Sequence, residues 1–556
     1  MKLKPIALII AAAMLLALLS TACSKPAGGQ QSELTAAPGE NGGTQAPATD
    51  EPIENTNEPT DAPETTAAPE PGDDPTPAPV SAVPVIIQPQ VYSGSCSRDM
   101  QNGNKVFSAY QYVLIEDEAA AEYPMLASVL RANSMMIMDE AGMRLEELAV
   151  EGCSIDPDEL IYPTYISTAY IRRSDSVAFS VLYGGHSDLP EDVKEYFFAY
   201  NFETATGSRL ALSDVVNNPS AIPAVINAIM SPRNEDGFTL DPSADYSAYF
   251  SDPNCRDYAW TLDYNGISLF FNEGAFGIED AWTCSLFIPF SQYPDFVKAE
   301  YMAAPEEYAV AFPPYITCYF ELNGSVTPVI VAGVDNDDDG YDQPTDIYIG
   351  CGEKNYTEQI ELDGFSPVLI HKTNGDFLCV QCESYNDYKY LCIVDITNAY
   401  IREKGDFSFR WFNTYFEADD AYFEKLTPAA DPNNCLLTEW TEVLSTANAS
   451  KTFAFGSDGI PVSEDVFYLV NHHWTMRLLH PLEVELTDLS GADLGKLQLS
   501  TGDSFEYYAT DGGSIAVLLL PDGRLAKIKV VKTEYYESFV NGIPIEELFT
   551  DLFFAG

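Results

Sequence analysis

The fold class of this chain is set by the stretch EYFFAYNFETATGSRLAL at residues 195–212. An aromatic-rich run is interrupted by Thr204-Ala205-Thr206-Gly207 and is followed by a second short apolar run. Two such runs around a turn that contains glycine are typical of a β-hairpin. The stretch therefore predicts strands at residues 195–203 and 208–212.

Further hairpins are predicted on both sides of this one. Residues 165–172 and 176–183 flank a turn at 173–175, and residues 260–263 and 267–271 flank Asn265-Gly266. Upstream, Pro124 opens a helix to about residue 148, with shorter helices near 220–230 and 293–302. The apolar residues that keep helical spacing on one side of the long helix are Leu126, Val129, Leu130, Ile137, Ala141, Leu145 and Leu148. Helices beside paired strands predict an α+β module with an antiparallel sheet over residues 91–302.

Two segments of this module carry a family resemblance. Residues 184–216 contain Asn-Phe-x-Thr-x-Thr-Gly-x-x-Leu-x-Leu, and residues 260–296 contain Asp-Tyr-Asn-Gly followed by Ile-Pro-Phe. Over about residues 96–302 the chain resembles the RsiV/PdaC-type extracellular domain of the sigma-V anti-sigma factor and of a peptidoglycan deacetylase. The resemblance implies a binding or sensing module, which in the anti-sigma factor binds lysozyme. The chain lacks the deacetylase His/Asp metal motifs and the anti-sigma segment, so neither activity is carried over.

The second half of the chain is predicted to be mainly β. Short aromatic or β-branched runs follow one another between turn residues across 308–425, which predicts a sandwich or a partial propeller-like arrangement. Residues 426–556 hold a hairpin across Pro521-Asp522-Gly523 and predict a small β-rich C-terminal domain.

The N-terminus predicts export and lipid anchoring. Lys2 and Lys4 precede an apolar run that ends before Cys23, and a small residue stands before that Cys. Residues 1–23 are therefore predicted to be a lipoprotein signal peptide, with Cys23 as the lipidated residue. Residues 24–88 are rich in Pro, Thr and Glu and contain no aromatic residue, which predicts a disordered tether. We expect an extracytoplasmic protein that contacts the membrane through its N-terminal lipid only.

The net charge limits the partners. The 556 residues include 85 acidic side chains against 28 Lys and Arg, a formal charge of −57. Phosphate recognition needs a basic face, so nucleic acid is excluded as a partner. A basic protein of the lysozyme type, a metal cation or cell-wall glycan is compatible with this charge.

An Asp-rich stretch follows the predicted strand at 326–333. Asp335, Asp337 and Asp339 occupy positions 1, 3 and 5 of a calcium-loop pattern, with Gly340 at position 6. Tyr341 would supply a backbone carbonyl at position 7 and Asp346 the acid at position 12. The flanks predict strands rather than helices, so we expect a structural calcium loop unlike an EF-hand. The alternative is an acidic, solvated turn.

One cysteine pair can be argued from spacing. Cys382 and Cys392 are symmetric about Asp387, the predicted centre of a hairpin turn. Facing residues of a hairpin lie within disulfide range, so Cys382 and Cys392 are predicted to form a disulfide. The Cys379-x-x-Cys382 spacing does not predict a redox site, because residues three apart in a strand point to opposite faces.

Hydrolase signatures are absent from the sequence: it contains no Gly-x-Ser-x-Gly, no His-Glu-x-x-His and no Walker loop. We therefore predict a non-catalytic surface lipoprotein that binds an envelope ligand or a basic host protein. The alternative is a glycan- or peptidoglycan-acting hydrolase with an unrecognised carboxylate pair.

Overall fold

The structure, a computed structural model, is mostly β, with several antiparallel sheets and helices concentrated in its N-terminal half. This confirms the predicted succession of an α+β module and two β-rich regions. The residues that it describes are 83–100, 105–152, 163–189, 192–233, 239–278, 283–334, 346–359, 364–384, 388–418, 421–533 and 537–554.

The N-terminal region contributes five strands to the largest sheet, with one long helix packed on them. Its elements are β1 (Pro89–Asp99), β2 (Lys105–Ile115), α1 (Asp117–Glu122), α2 (Pro124–Glu151), β3 (Thr164–Ser174), β4 (Ala178–Leu189) and β5 (Asp192–Glu203). The pairs β1–β2, β3–β4 and β4–β5 are antiparallel, whereas β2 and β3 are parallel. The predicted antiparallel sheet is therefore present, with one parallel junction between β2 and β3.

The long helix lies on this sheet through the predicted apolar side. Pro124 occupies the first turn, where its missing N–H leaves no hydrogen bond unmade. Every residue of the predicted side is buried except Val129, which is partly buried. Gly207, in the Thr-Ala-Thr-Gly turn, has φ +66°, and a Cβ there would lie 2.8 Å from the Met125 carbonyl oxygen. Glycine is required at this turn by both backbone conformation and close approach.

A smaller layer of helices and strands follows. Its elements are α3 (Leu212–Val215), α4 (Ile222–Met230), α5 (Ser247–Ser251), β6 (Tyr258–Leu262), β7 (Gly266–Phe271), β8 (Cys284–Pro289) and α6 (Ala299–Met302). The predicted strand at 208–212 is reduced to a single bridge between Phe202 and Arg209. The Asp214 carboxylate accepts a hydrogen bond from the Ala211 N–H at 2.8 Å and starts a short helix instead. The helix predicted at 293–302 is confined to its last turn.

Two sheets form a sandwich in the middle of the chain. The first contains β10 (Cys318–Leu322), β11 (Ser325–Val334), β12 (Asp346–Cys351) and β13 (Lys354–Gln359). The second, in spatial order, contains β17 (Arg402–Phe407), β16 (Tyr388–Asp395), β15 (Gly375–Ser384), β14 (Gly364–Lys372) and β9 (Tyr308–Ala311). Both sheets contribute to one hydrophobic core. Of the two arrangements that the sequence left open, the structure contains the sandwich.

The five-stranded sheet is covered on both faces. Cys382 of β15 packs in the sandwich core, whereas Cys379 faces a second core shared with the C-terminal region. A strand buried on both faces has a continuous apolar sequence, as the run Phe377 to Val380 has. The opposite orientation of these two cysteines agrees with the argument against a redox pair.

The C-terminal region is an antiparallel array that also reaches back to the N-terminus. Its strands are β18 (Phe409–Ala418), β19 (Ala421–Thr427), β20 (Cys435–Thr441), β21 (Ala447–Phe455), β22 (Pro461–Val462), β23 (Tyr468–Val470), β24 (Thr475–Arg477), β25 (Leu482–Thr487), β26 (Gly495–Leu499), β27 (Ser504–Thr510), β28 (Ile515–Leu519), β29 (Leu525–Lys529), β30 (Val531–Lys532), β31 (Ser538–Val540) and β32 (Ile543–Pro544), followed by α7 (Ile545–Leu548). β19 pairs with β1, and β18 pairs with both β19 and β20. The predicted boundary at 425–426 thus falls inside a strand that joins the two ends of the fold.

Two fully buried arginines connect these layers at the C-terminal end of β3. Arg172 forms a two-point ion pair with Asp263, at 3.1 Å from Nε to Oδ1 and 2.5 Å from Nη2 to Oδ2. The same carboxylate accepts hydrogen bonds from Thr261 and Ser268. Burial alone lowers the pKa of Arg172, but the Asp263 carboxylate outweighs it and the net pKa is raised. The charge is therefore retained inside the protein.

Its neighbour Arg173 bonds to a different set of groups. Its Nε donates to Asp175 at 2.9 Å, and its Nη atoms donate to the carbonyls of Asp263, Tyr301 and Ala303. These bonds join the β3–β4 turn to the β6–β7 turn and to the end of α6. Such pairs specify an arrangement because breaking them leaves a buried charge unpaired.

None of the helices within the described part of the chain is both long enough and apolar enough to cross a bilayer.

We predict that Asp263→Asn lowers the free energy of unfolding by about 3–5 kcal/mol, because Arg172 would stay buried without its counter-charge. Urea denaturation followed by circular dichroism measures this change. The control is Asp522→Asn, which breaks the exposed ion pair with Arg524 and should leave the denaturation midpoint unchanged. Equal midpoints for the two variants would contradict a structural role for the buried pair.

Candidate functional site

The predicted lipidation site and most of the predicted calcium ligands lie outside the described residues. These are Cys23, Asp335, Asp337, Asp339 and Tyr341. The last predicted calcium ligand, Asp346, is described: it is a buried residue at the start of β12, with Val334 and Gln359 as its strand partners. Calcium binding by this loop stays a prediction.

The hairpin that carries Cys382 and Cys392 has a different register from the predicted one. Cys382 is opposite Tyr390, and Cys392 is opposite Val380. The two cysteines are therefore diagonal neighbours rather than facing residues, and both thiols are free. The prediction placed the centre of symmetry at Asp387, but the observed pairs are symmetric about Asn386. A shift of one residue in the turn displaces cross-strand partners by two.

One of these thiols belongs to a compact group of acidic side chains. Glu358 on β13, Cys392 on β16 and Asp406 on β17 bring their ligand atoms within 4.8 Å of one another. We call these three residues the acid–thiol cluster. Cys392 and Asp406 are direct cross-strand partners, while Glu358 comes from the other sheet of the sandwich. The cluster therefore forms where the edges of the two sheets meet.

Hydrogen bonds connect the members of the cluster. The Cys392 thiol donates to Oε2 of Glu358 at 3.3 Å, and the Tyr356 hydroxyl donates to the same oxygen at 3.0 Å. Asp406 is an exposed residue, but partial desolvation of its carboxyl group, together with the hydrogen bond and negative charge of Glu358, raises its pKa to about 6. Burial and the same carboxylates raise the pKa of the Cys392 thiol. The cluster favours a bound proton, or another cation, over three free anions.

This geometry does not fit glycoside hydrolysis. That reaction needs two carboxyl groups about 5–5.5 Å or about 6.5–9.5 Å apart across the sugar bond. Glu358 and Asp406 instead share a hydrogen bond. Carboxylates and a thiol that converge on one point can hold a metal ion or a proton.

Two open cavities lie elsewhere on the described surface. One, of about 360 Å³, is lined among others by Asn374, Asp395, Asn398, Tyr400, Arg402 and Lys404. Its carboxylate is engaged, because Asp395 accepts a hydrogen bond from the Thr397 N–H and pairs with Lys404. The other, of about 390 Å³, lies beside Tyr249 and Cys255. Neither cavity contains the acid–thiol cluster.

The aromatic residues around position 250 could bind sugar rings if their faces were exposed, but most of them belong to the hydrophobic core. Tyr246, Phe250, Tyr258 and Trp260 are buried, and Tyr249 alone among them is exposed, at 38%. Stacking of a sugar needs an exposed ring face, and this group offers one ring at most.

Comparison with models of protein families finds no match, and comparison with curated proteins finds none either. Among solved structures, the chain is similar to a DUF3298 family protein from Pseudomonas aeruginosa PAO1, with 12% identity, a TM-score of 0.23, and coverage of 38% of this chain and 96% of that one. A DUF3298 family member from Bacteroides fragilis NCTC 9343 gives 8% identity, a TM-score of 0.26, and coverage of 39% and 96%. These similarities are too weak to assign a function.

We predict that Asp406→Asn stabilises the protein at pH 7.5 but not at pH 4. Because the folded-state pKa of Asp406 is raised to about 6, the wild type loses stability as pH rises from the unfolded value of about 4 through 6. The amide has no such loss. We expect a gain of about 1 kcal/mol, since solvent around the exposed Asp406 weakens the effect.

Thermal unfolding at a series of pH values measures this difference. The control is Glu464→Gln, which removes an exposed carboxylate elsewhere and should change stability equally at both pH values. A gain that is independent of pH would contradict the raised pKa.

Proposed function

We propose that this protein is a non-catalytic, cell-surface lipoprotein that binds a basic protein, such as lysozyme, on the outer face of α2. The observation that carries the proposal is an exposed row of methionines on that helix. The row lies between acidic residues and opposite the side that packs on the sheet.

The exposed methionines of α2 do not belong to the hydrophobic core. We call Met125, Met136, Met143 and Val150 the methionine face; these side chains are 55%, 52%, 62% and 75% exposed. At 3.6 residues per turn they lie on one line along the helix. Met135 and Met138 are also exposed, so five of the eleven methionines of the chain are exposed on one helix. Contiguous exposed apolar surface marks interaction sites, and methionine adapts to varied partners.

Acidic residues border this face on both sides. Asp139 and Glu146 lie along one side, and Glu140 and Glu147 lie along the other. Glu146 forms an ion pair with Arg98, and Glu147 forms one with Arg144 at 2.7 Å. Neither of these two pairs includes Asp139 or Glu140. A partner with a basic rim around an apolar patch matches this pattern, because complementary charge steers and orients association.

The methionine face favours a protein ligand over the two alternatives. The aromatic residues around position 250 offer little stacking surface to cell-wall glycan, because most of them are buried; the exposed rings Tyr400 and Trp440 lie elsewhere. A hydrolase would need separated carboxylates in a cleft, whereas Glu358 and Asp406 share a hydrogen bond outside the two cavities.

The proposal places this surface at the end of a tether. Anchoring through Cys23, the tether predicted at 24–88 and a structural calcium ion at 335–346 remain parts of the proposal. The last residues of the predicted tether are an exception, because Ile87 is buried and its N–H donates to the Ser174 carbonyl, so the tether ends before residue 83. The resemblance to the RsiV/PdaC-type domain over residues 96–302 is also a proposal, and it supports lysozyme as the first ligand to test. An extracytoplasmic location is part of the same proposal, because it depends on the predicted lipoprotein signal peptide.

We predict that Met136→Gln combined with Met143→Gln weakens lysozyme binding about 30-fold. Burying each half-exposed methionine contributes about 1 kcal/mol, and about 2 kcal/mol in total corresponds to that factor. Glutamine keeps the length and helix propensity of methionine, so the fold should be retained. Calorimetric titration of the chain, with Cys23→Ala to block lipidation, measures the affinity in about 0.15 M and about 0.5 M salt.

The matched control is Met138→Gln, which lies about 200° around the helix from Met136 and should bind like the wild type. A saturable heat that persists at high salt and is lost in the double variant supports the methionine face. A binding heat that disappears at high salt and is the same in the wild type and the double variant would mean non-specific attraction to an acidic surface. That result would contradict the proposal.

A further inference from the structure

We propose that Glu358, Cys392 and Asp406 bind a divalent transition-metal ion of the zinc class at the edge of the sandwich. This site is separate from the predicted calcium loop and from the methionine face. Its three donors come from three strands and from both sheets, so an ion there would join the two halves of the sandwich.

The distances are close to those of a coordination shell. Zinc binds thiolate sulfur at about 2.3 Å and carboxylate oxygen at about 2.0–2.2 Å, so the edges of a tetrahedral shell measure about 3.3–3.8 Å. The donor atoms of the cluster lie within 4.8 Å of one another. Side chains on strand edges need to move by only about 1 Å to close this gap.

The charge around the cluster also favours a cation. Within the described part of the chain, no lysine or arginine forms an ion pair with Glu358 or Asp406. The polar contacts of the Glu358 carboxylate are the Tyr356 hydroxyl, the Cys392 thiol and Asp406. A divalent ion would replace the thiol proton and the proton shared by the two carboxyl groups, and both protons would pass to water. The thiolate and the two carboxylates would then be held by an ion of charge +2, which leaves the net charge of the site at −1.

The donor set selects the class of metal. Calcium prefers six to eight oxygen ligands, so a sulfur donor disfavours it here. Thiolate with carboxylate suits zinc or cadmium. Cys382 of β15 adds a second free thiol on the same face of the sheet, since it is a diagonal neighbour of Cys392 and packs in the same core. Water completes a shell of three protein ligands.

Cadmium titration tests the proposal, because a cadmium–thiolate bond produces an ultraviolet charge-transfer band. We use the full chain with excess calcium, which occupies any all-oxygen site. The expected result is a band that saturates at one equivalent and a higher unfolding temperature with zinc. Cys392→Ser should abolish the band, and Glu358→Gln and Asp406→Asn should each weaken binding at least tenfold.

The control Cys255→Ser removes a partly buried thiol elsewhere and should keep the band. Circular dichroism of the metal-free variants shows that they fold, so that loss of the band reports on ligation. A band that persists in Cys392→Ser would overturn the site. So would its absence in wild-type protein whose thiols are shown to be free by titration in denaturant. A Cys382–Cys392 disulfide in freshly isolated protein would overturn it as well, because Cys392 would have no sulfur to donate.

Discussion

The buried pair of Arg172 with Asp263, supported by Arg173 with Asp175, is the constraint on which the arrangement of layers depends. A buried guanidinium group has several N–H donors, and each of them needs an acceptor. Arg172 and Arg173 find these acceptors on segments that are distant in sequence. Arg172 also donates to the Ala311 carbonyl of β9, at the edge of the five-stranded sheet. The N-terminal sheet, the β6–β7 hairpin and the sandwich therefore meet at one point, and none can shift without exposing a charge to apolar surroundings.

Local patterns predicted the elements well because hairpins and helices are encoded by neighbouring residues. The Asn265-Gly266 turn and the Pro124 helix start are examples, and both were confirmed. Long-range pairings left no such signal: the parallel contact of β2 with β3 and the pairing of β1 with β19 join segments far apart in sequence. The role of Asp263 was equally hidden, since its partner Arg172 lies 91 residues away.

The candidate site was missed for the same reason. Glu358 precedes Cys392 by 34 residues and belongs to a different sheet, so no motif spacing unites them. The one local argument available, symmetry of Cys382 and Cys392 about the turn, failed because it depended on a register that shifts with a single turn residue. The sequence of β15 did indicate that this strand is covered on both sides, because consecutive apolar residues point to both faces of the sheet.

A common principle links the two proposals. With three acidic residues for every basic one, the chain cannot neutralise itself. Where desolvation makes an unpaired charge most costly, at Asp263 and Asp175, it uses its arginines. At the borders of the methionine face and in the acid–thiol cluster, fewer basic residues are available and negative charges stay near one another. Since such groups gain most from a cation that arrives from outside, a basic protein and a metal ion are the two kinds of ligand that this surface is built to attract.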